Sequence, residues 1–202
     1  MKKRFLSSIK RSIKKQYPDY SDDKIDEIMY GVEGIYLTIT KTIIIFLLAF
    51  ILGVAKELFF LLLAFNFVRL FAFGMHVDKS SSCLVFSTIL FIMSTFICKY
   101  ISMNNLTLYV LYSIIFILII IYAPADTIKR PLIRKSKRQK FKLLSILVTS
   151  IYFTISLISK NDLLTNSLTI GLLIECILIN PLTYKIFKMP YNNYKNYGLN
   201  TK

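Results

Sequence analysis

Six apolar segments, each close to the length that crosses a bilayer, constrain this chain more than any motif in it. They run roughly over Ile35–Ala55, Leu58–Phe73, Leu84–Ile101, Leu106–Ala123, Leu143–Ser159 and Leu163–Pro181. About 20 predominantly apolar residues span the hydrocarbon as a helix, and a backbone in lipid must satisfy its hydrogen bonds internally. Ile, Leu and Phe surround most of these segments instead of alternating with polar residues, which is the pattern of lipid-embedded helices and not of strands. With 55% apolar residues and a mean hydropathy of +0.57, the chain is too apolar for an ordinary soluble domain. Asn66 and Arg69 interrupt the second segment and blur its ends. The expected fold is an all-α membrane protein of about six transmembrane helices, forming a single integral membrane domain over residues 1–202.

Residues 1–16 carry a basic start but no apolar run behind it, so they do not read as a cleavable signal peptide. Phe5, Leu6, Ile9 and Ile13 recur at helical spacing with Lys and Arg on the other faces. That is an amphipathic helix suited to the plane of the interface. Tyr17-Pro18-Asp19-Tyr20 ends it, and Ser21 is a candidate N-cap for a second helix with Asp22 and Asp23 in its first turn. This helix is expected to continue into the first span. The bundle then covers 22–181, and 182–202 forms a tail.

The formal net charge of +15 is unevenly placed. Basic residues crowd the N-terminus, the link between spans four and five (Lys129, Arg130, Arg134, Lys135 and neighbours) and the tail, while links one–two, three–four and five–six are poor in them. Short Lys- and Arg-rich loops stay cytoplasmic. Six spans with both termini inside satisfy that rule without adjustment. The link between spans two and three then faces the cytoplasm. Topology accounts for the charge, which argues against nucleic acid as a partner; anionic lipid headgroups and an acidic peptide both suit the same residues.

The chain's single histidine, His76, lies in that link, seven residues before Cys83. Histidine carries protons near neutral pH, and cysteine is the strongest side-chain nucleophile there. The run Ser80-Ser81-Ser82 offers helix N-caps, so Cys83 is expected in the first turn of the third span, where the helix dipole favours a thiolate. Spacing sets a condition. On a continuous helix the two Cα atoms stand about 10.5 Å apart, too far for a Cys–His contact of roughly 3 Å. The pairing requires a fold-back between Gly74 and Ser82. The bland alternative makes His76 an interfacial polar residue and Cys83 a packing residue. Cys98 and Cys176 read as small buried apolar groups, and one His without a CxxC or HxxxH spacing gives no zinc site. No cofactor is expected.

Arg69-Leu70-Phe71-Ala72-Phe73-Gly74-Met75-His76, followed by Cys83, resembles the accessory gene regulator B (AgrB) family of bacterial quorum-sensing endopeptidases. That family carries an Arg, then Gly and His at this spacing, then Cys seven residues on. Tyr122-Ala123-Pro124-Ala125-Asp126-Thr127, followed by Lys129, Pro131 and a basic run, is a second match. Phe73 departs from the pattern, standing where many members have a second Gly. The resemblance implies a cell-membrane cysteine endopeptidase with Cys83 as nucleophile and His76 as general base. It also implies as substrate an AgrD-like precursor peptide with an amphipathic leader and an acidic C-terminal tail, matured to a thiolactone or lactone signal.

Other residues keep two readings. Arg69, near the inner end of span two, either snorkels, or orders the loop or binds a substrate carboxylate. Gly74 permits the fold-back. Lys129, Arg130, Pro131, Arg134 and Lys135 suit the acidic precursor tail, or lipid. Asp78 orients His76 or is a plain loop carboxylate. Glu175, inside span six, is expected to face protein or water, with no role assigned. The competing function classes are a peptide exporter with a path lined by Asn66, Arg69 and Glu175, and a membrane adaptor without chemistry. A homodimer is compatible with a bundle of this size.

Overall fold

A computed structural model describes residues 2–75, 80–127 and 132–195, and only the backbone of residues 2, 3 and 80–83. Eight α-helices account for most of the described residues: α1 (Lys2–Gln16), α2 (Asp22–Ile51), α3 (Ala55–Ala72), α4 (Ser80–Tyr100), α5 (Asn105–Tyr122), α6 (Lys135–Ile158), α7 (Asp162–Ile179) and the short α8 (Pro181–Ile186). No strand occurs among them. The chain is an all-α membrane protein. Helices α2, α5, α6 and α7 are long and apolar enough to cross a bilayer. Helices α3 and α4 coincide with the second and third apolar segments. Asn66 and Arg69 do not break α3, which runs unbroken to Ala72. Asn66 satisfies its amide on its own helix, donating to the Leu62 carbonyl at 2.8 Å.

The chain divides into two compact units, residues 1–48 and 49–202. In the first, Tyr17-Pro18 ends α1 and Ser21 caps α2, its hydroxyl accepting from Lys24 N at 3.4 Å. Lys14 pairs with Asp22 at 2.7 Å and Lys10 pairs with Asp26. These contacts raise the Lys10 ammonium, chiefly through its hydrogen bond with Asp26, and lower the Asp22 carboxyl, chiefly through Lys14. They are exposed pairs, which orient the hairpin more than they stabilise it. Ile35, Ile39, Ile43 and Leu47 leave an exposed apolar stripe along α2, as a lipid-facing surface would.

The second unit is built around α7. It packs against α3, α4, α5, α6 and α8, most extensively against α3, and it is buried along most of its length. Small residues make the close approach possible, because apolar burial does not by itself drive helices together in lipid. Gly171 is the contact point: a Cβ there would stand 3.0 Å from Phe65 N and 3.2 Å from Ala64 Cβ. Polar groups then fix the helices laterally. Tyr152 donates to the Ala64 carbonyl at 3.0 Å, Tyr112 and Ser156 lie 3.0 Å apart, and the Asn166 amide donates to the carbonyls of Cys98 and Ile101 at the end of α4. Outward faces are apolar, with Phe59, Leu63, Phe67 and Leu70 exposed on α3 and Leu143, Leu147, Ile151 and Ile158 on α6.

Asparagine starts three of these helices, at Asn104, Asn161 and Asn180, each side-chain oxygen accepting a backbone N–H of the first turn. Pro181 at the start of α8 has the φ a first turn needs. At one end of the unit, Lys99 at the end of α4 donates to the Gly53 carbonyl in the α2–α3 turn at 2.8 Å. At the other end, residues 73–75 after α3, residues 123–127 after α5 and the chain after α7 converge.

Candidate functional site

That second convergence is the candidate site. Helix α3 ends at Ala72 because Phe73 (φ 63°) and Gly74 (φ 100°) both take positive φ. Such values suit glycine and strain phenylalanine. The chain turns out of the helix and is caught at once by three segments distant in sequence. Gly74 N donates to the Ala125 carbonyl at 2.9 Å, and Ala125 N donates to the Ala72 carbonyl at 2.9 Å. Phe73 and Ala125 thereby form a single parallel bridge, just after the cis Ala123–Pro124 peptide. Met75 N donates to the Leu178 carbonyl of α7 at 3.0 Å.

Arg69 completes the arrangement from inside. Its Nη1 pairs with Glu175 Oε2 at 3.1 Å, and its Nη2 donates to the Met75 carbonyl at 2.7 Å and the Gly74 carbonyl at 3.4 Å. The guanidinium also lies 5.3 Å from the centre of the Phe65 ring. Glu175 is fully buried, so its charge stays inside the unit and depends on Arg69 for a partner. Among the described residues, Glu175 Oε1 has no hydrogen-bond partner. Arg69 and Glu175 therefore close on each other and on the loop. Asn66 sits exposed on α3 and does not share their environment.

The 123–127 stretch is tied to the tail. Asp126 is 4% exposed; its carboxylate accepts Asn193 N at 2.9 Å and Tyr194 N at 2.8 Å, and its carbonyl accepts the Tyr184 hydroxyl at 3.0 Å. Arg138 of α6 lies 3.9 Å from the centre of the Tyr194 ring and donates to the carbonyls of Leu132 and Ile133. Burial raises the phenols of Tyr184 and Tyr191, the latter to about 12; the Tyr184 hydroxyl is the donor to the Asp126 carbonyl. The tail from Pro181 to Lys195 is thus an ordered part of this end of the unit, through α8 and a 3₁₀ turn at Asn193–Lys195.

The structure brings Arg69, Gly74 and Met75 together. Arg134 and Lys135 are exposed at the start of α6 and make no contact with them among the described residues. His76, Asp78, Lys129, Arg130 and Pro131 lie outside the described residues, as does the Cys83 side chain. The backbone of Cys83 falls in the first turn of α4, which begins at Ser80. Two residues of this end were not given roles by the sequence: Glu175, whose signal was a lone carboxylate inside an apolar helix, and Asp126, visible only within a motif. Cys98 and Cys176 are buried free thiols. No group of His, Cys, Asp and Glu among the described residues is placed to hold a metal ion.

Comparison with known proteins assigns the chain to a family. The accessory gene regulator B family profile matches residues 6–179. A putative AgrB-like protein of Clostridium acetobutylicum is 34% identical over 83% of this chain and 80% of its own length. A putative AgrB-like protein of Listeria innocua is 31% identical over 85% of this chain and 84% of its own. The accessory gene regulator protein B of Staphylococcus saprophyticus is 30% identical over 80% of this chain and 87% of its own. No solved structure matches.

Proposed function

We propose that this chain, which belongs to the accessory gene regulator B family, is a membrane-embedded cysteine endopeptidase that matures an AgrD-like precursor peptide. The observation that carries the reading is the loop geometry. The chain leaves the helix at Phe73-Gly74-Met75, is pinned there by hydrogen bonds, and enters α4 at Ser80. Helix α3 therefore does not run on into the His76 segment, and Cys83 stands at a helix start. The first is compatible with the fold-back that the Cys–His spacing requires, and the second puts Cys83 where the helix dipole favours a thiolate.

In this reading His76 takes the Cys83 thiol proton. The thiolate attacks the precursor carbonyl ahead of the acidic tail, with backbone N–H groups of the first turn of α4 as donors to the oxyanion. His76 then protonates the leaving amine, and the tail departs. The acyl-enzyme thioester that remains is attacked by the precursor's own Cys, or Ser, which closes the thiolactone or lactone and returns the Cys83 thiol. Water would release a linear acid instead. A site at the membrane interface limits it, and holding the internal thiol beside the thioester raises its effective concentration.

The basic start of α6 supports an acidic partner. Arg134, Lys135 and Lys137 sit at a helix N-terminus, where the dipole disfavours cations. Their presence there does not serve helix stability; it suits a precursor tail or anionic headgroups. We place the termini and this loop on the cytoplasmic side of the cell membrane, following the basic residues. A pairing of two chains in the membrane is compatible with the reading.

The test is co-expression with a doubly tagged precursor and detection of the released tail by mass. Cys83→Ala and His76→Ala should each abolish release. Tail release that survives both substitutions sinks the peptidase reading, and export of mature peptide without any effect on cleavage would identify a transporter.

A further inference from the structure

We propose that Glu175 is a positioning residue for this site: it orients the Arg69 guanidinium, which holds the Met75 carbonyl and so the peptide plane that leads into His76. The inference rests on the peptidase reading above and adds to it a residue 99 positions downstream of the histidine.

The geometry is that of a fork shared between an anchor and a loop. One arm of the guanidinium, Nη1, meets Glu175 Oε2 at 3.1 Å. The other, Nη2, meets the Met75 carbonyl at 2.7 Å. A guanidinium is planar and rigid, so fixing one arm fixes the direction of the other. Leu178, three residues after Glu175 and on the same face of α7, accepts Met75 N at 3.0 Å. Both polar groups of the Met75 backbone are therefore referred, directly or through Arg69, to one face of the most buried helix in the unit. The carbonyl of Met75 and the N and Cα of the next residue share one plane, because the peptide bond does not rotate. Holding the carbonyl holds the attachment point of His76.

Stability alone does not account for the pair. A carboxylate with zero exposure in an apolar helix is costly, and replacing a buried pair with apolar groups of similar volume is often neutral or stabilising. Its use here is directional. Gly74 shows the same tightness: a Cβ there would meet Arg69 Nη1 at 3.0 Å, the Leu178 carbonyl at 3.2 Å and Glu175 Oε1 at 3.3 Å. The loop backbone lies directly on the ion pair, with no room for a side chain between them.

Two variants, Glu175→Gln and the apolar double replacement Arg69→Met with Glu175→Leu, are to be purified in lipid nanodiscs beside wild type and His76→Ala. Three quantities are measured: precursor cleavage (kcat and KM separately), the pH midpoint of Cys83 alkylation by iodoacetamide read by mass, and thermal stability in detergent. The double replacement keeps the wild-type unfolding temperature, loses about 10²-fold in kcat, as a misplacement of about 1 Å does, and leaves KM unchanged. Its Cys83 alkylation midpoint moves up to that of His76→Ala. Glu175→Gln moves kcat and the midpoint in the same directions. A folded double variant with wild-type kcat overturns the inference and leaves the peptidase reading standing. So does a fall in kcat that follows a fall in unfolding temperature while the alkylation midpoint stays at its wild-type value. A wild-type chain that does not cleave the precursor, or a His76→Ala chain that does, removes the peptidase reading and this inference with it.

Discussion

Gly74→Ala tests whether the held loop, rather than the bundle beneath it, carries activity. At φ 100° an alanine is strained by about 1–3 kcal/mol. Its Cβ also faces contacts of 3.0–3.3 Å with Arg69 Nη1, the Leu178 carbonyl and Glu175 Oε1. A backbone carbonyl of α7 and a fully buried carboxylate have little freedom to withdraw. The loop can escape by moving outward, at the loss of Gly74 N to Ala125 at 2.9 Å, Met75 N to Leu178 at 3.0 Å and Arg69 to the Met75 carbonyl at 2.7 Å. Neutral bonds contribute about 0.5–1.5 kcal/mol each and one to a charged group about 1.5–3. The strain and the bonds that resist its relief are of similar size, so the held geometry becomes disfavoured by about 2–4 kcal/mol. That lowers the equilibrium constant between the held and released loop by about 30- to 10³-fold.

Cleavage of the precursor by purified Gly74→Ala should therefore fall about 10²-fold. Amide hydrogen exchange at residues 74 and 75 should accelerate with it, while exchange along α7 stays slow. Gly53→Ala is the control. Gly53 also has positive φ, 68°, but an added Cβ meets nothing within 4 Å, and its turn lies at the opposite end of the unit. It should lose about 1–2 kcal/mol of stability and no activity per folded molecule. Wild-type cleavage by Gly74→Ala with protected amides at 74 and 75 would refute the reasoning, because it would mean the loop accommodates a side chain where the ion pair leaves no space.

Two further substitutions probe the surroundings. Asp126→Ala removes the acceptor for the backbone N–H groups of Asn193 and Tyr194; trypsin should then cut at Lys188 and Lys195 several-fold faster than in wild type, at unchanged cutting elsewhere, and equal rates would show that the tail is held by other contacts. Gly171→Val drives a branched side chain into the backbone of α3 at Phe65 and Ala64 and should cost about 1–3 kcal/mol, seen as a lower unfolding temperature in detergent; an unchanged temperature would show that α3 and α7 can separate freely.

The helices were legible because lipid imposes a simple rule on sequence. Long apolar runs predict the spans, Tyr17-Pro18 predicts the break after α1, and Ser21 with Asp22 and Asp23 predicts the start of α2. Each is decided within a few residues. The ordered tail was not legible for the opposite reason. Asn180-Pro181 is a helix start by local chemistry, yet the tail's order also depends on Asp126, Tyr184 and Arg138, which no spacing rule connects. Glu175 was conspicuous as a charge in an apolar run, but its partner is 106 residues away. Only the α3–α7 packing, allowed by Gly171, puts Arg69 beside it. In the proposed function the motif around His76 marks where chemistry belongs; the contacts that hold Gly74 and Met75 just before it are spread over α3, α7 and residues 123–127.

That division follows from what a bilayer can and cannot do. Apolar packing brings helices of complementary shape together but has no preferred direction for a loop at their ends, since lipid tails solvate an apolar side chain as well as protein does. A loop that must present a side chain reproducibly needs directional contacts, and polar groups at the bundle end supply them with little competition from water. Here Gly74 and Met75 receive four such contacts: two backbone bonds to Ala125 and Leu178, and two from Arg69 to their carbonyls. Three of the four depend on α7, either through Leu178 or through the Glu175 carboxylate that orients Arg69. Moving the anchor from their own helix to the centre of the bundle ties Gly74 and Met75 to the most buried element. It also makes the loop sensitive to substitutions in α7 that touch neither His76 nor Cys83 in sequence. Changes at residue 175 should therefore resemble changes at residue 74 in their effect on cleavage, and changes of equal size on the lipid-facing residues of α6 should not.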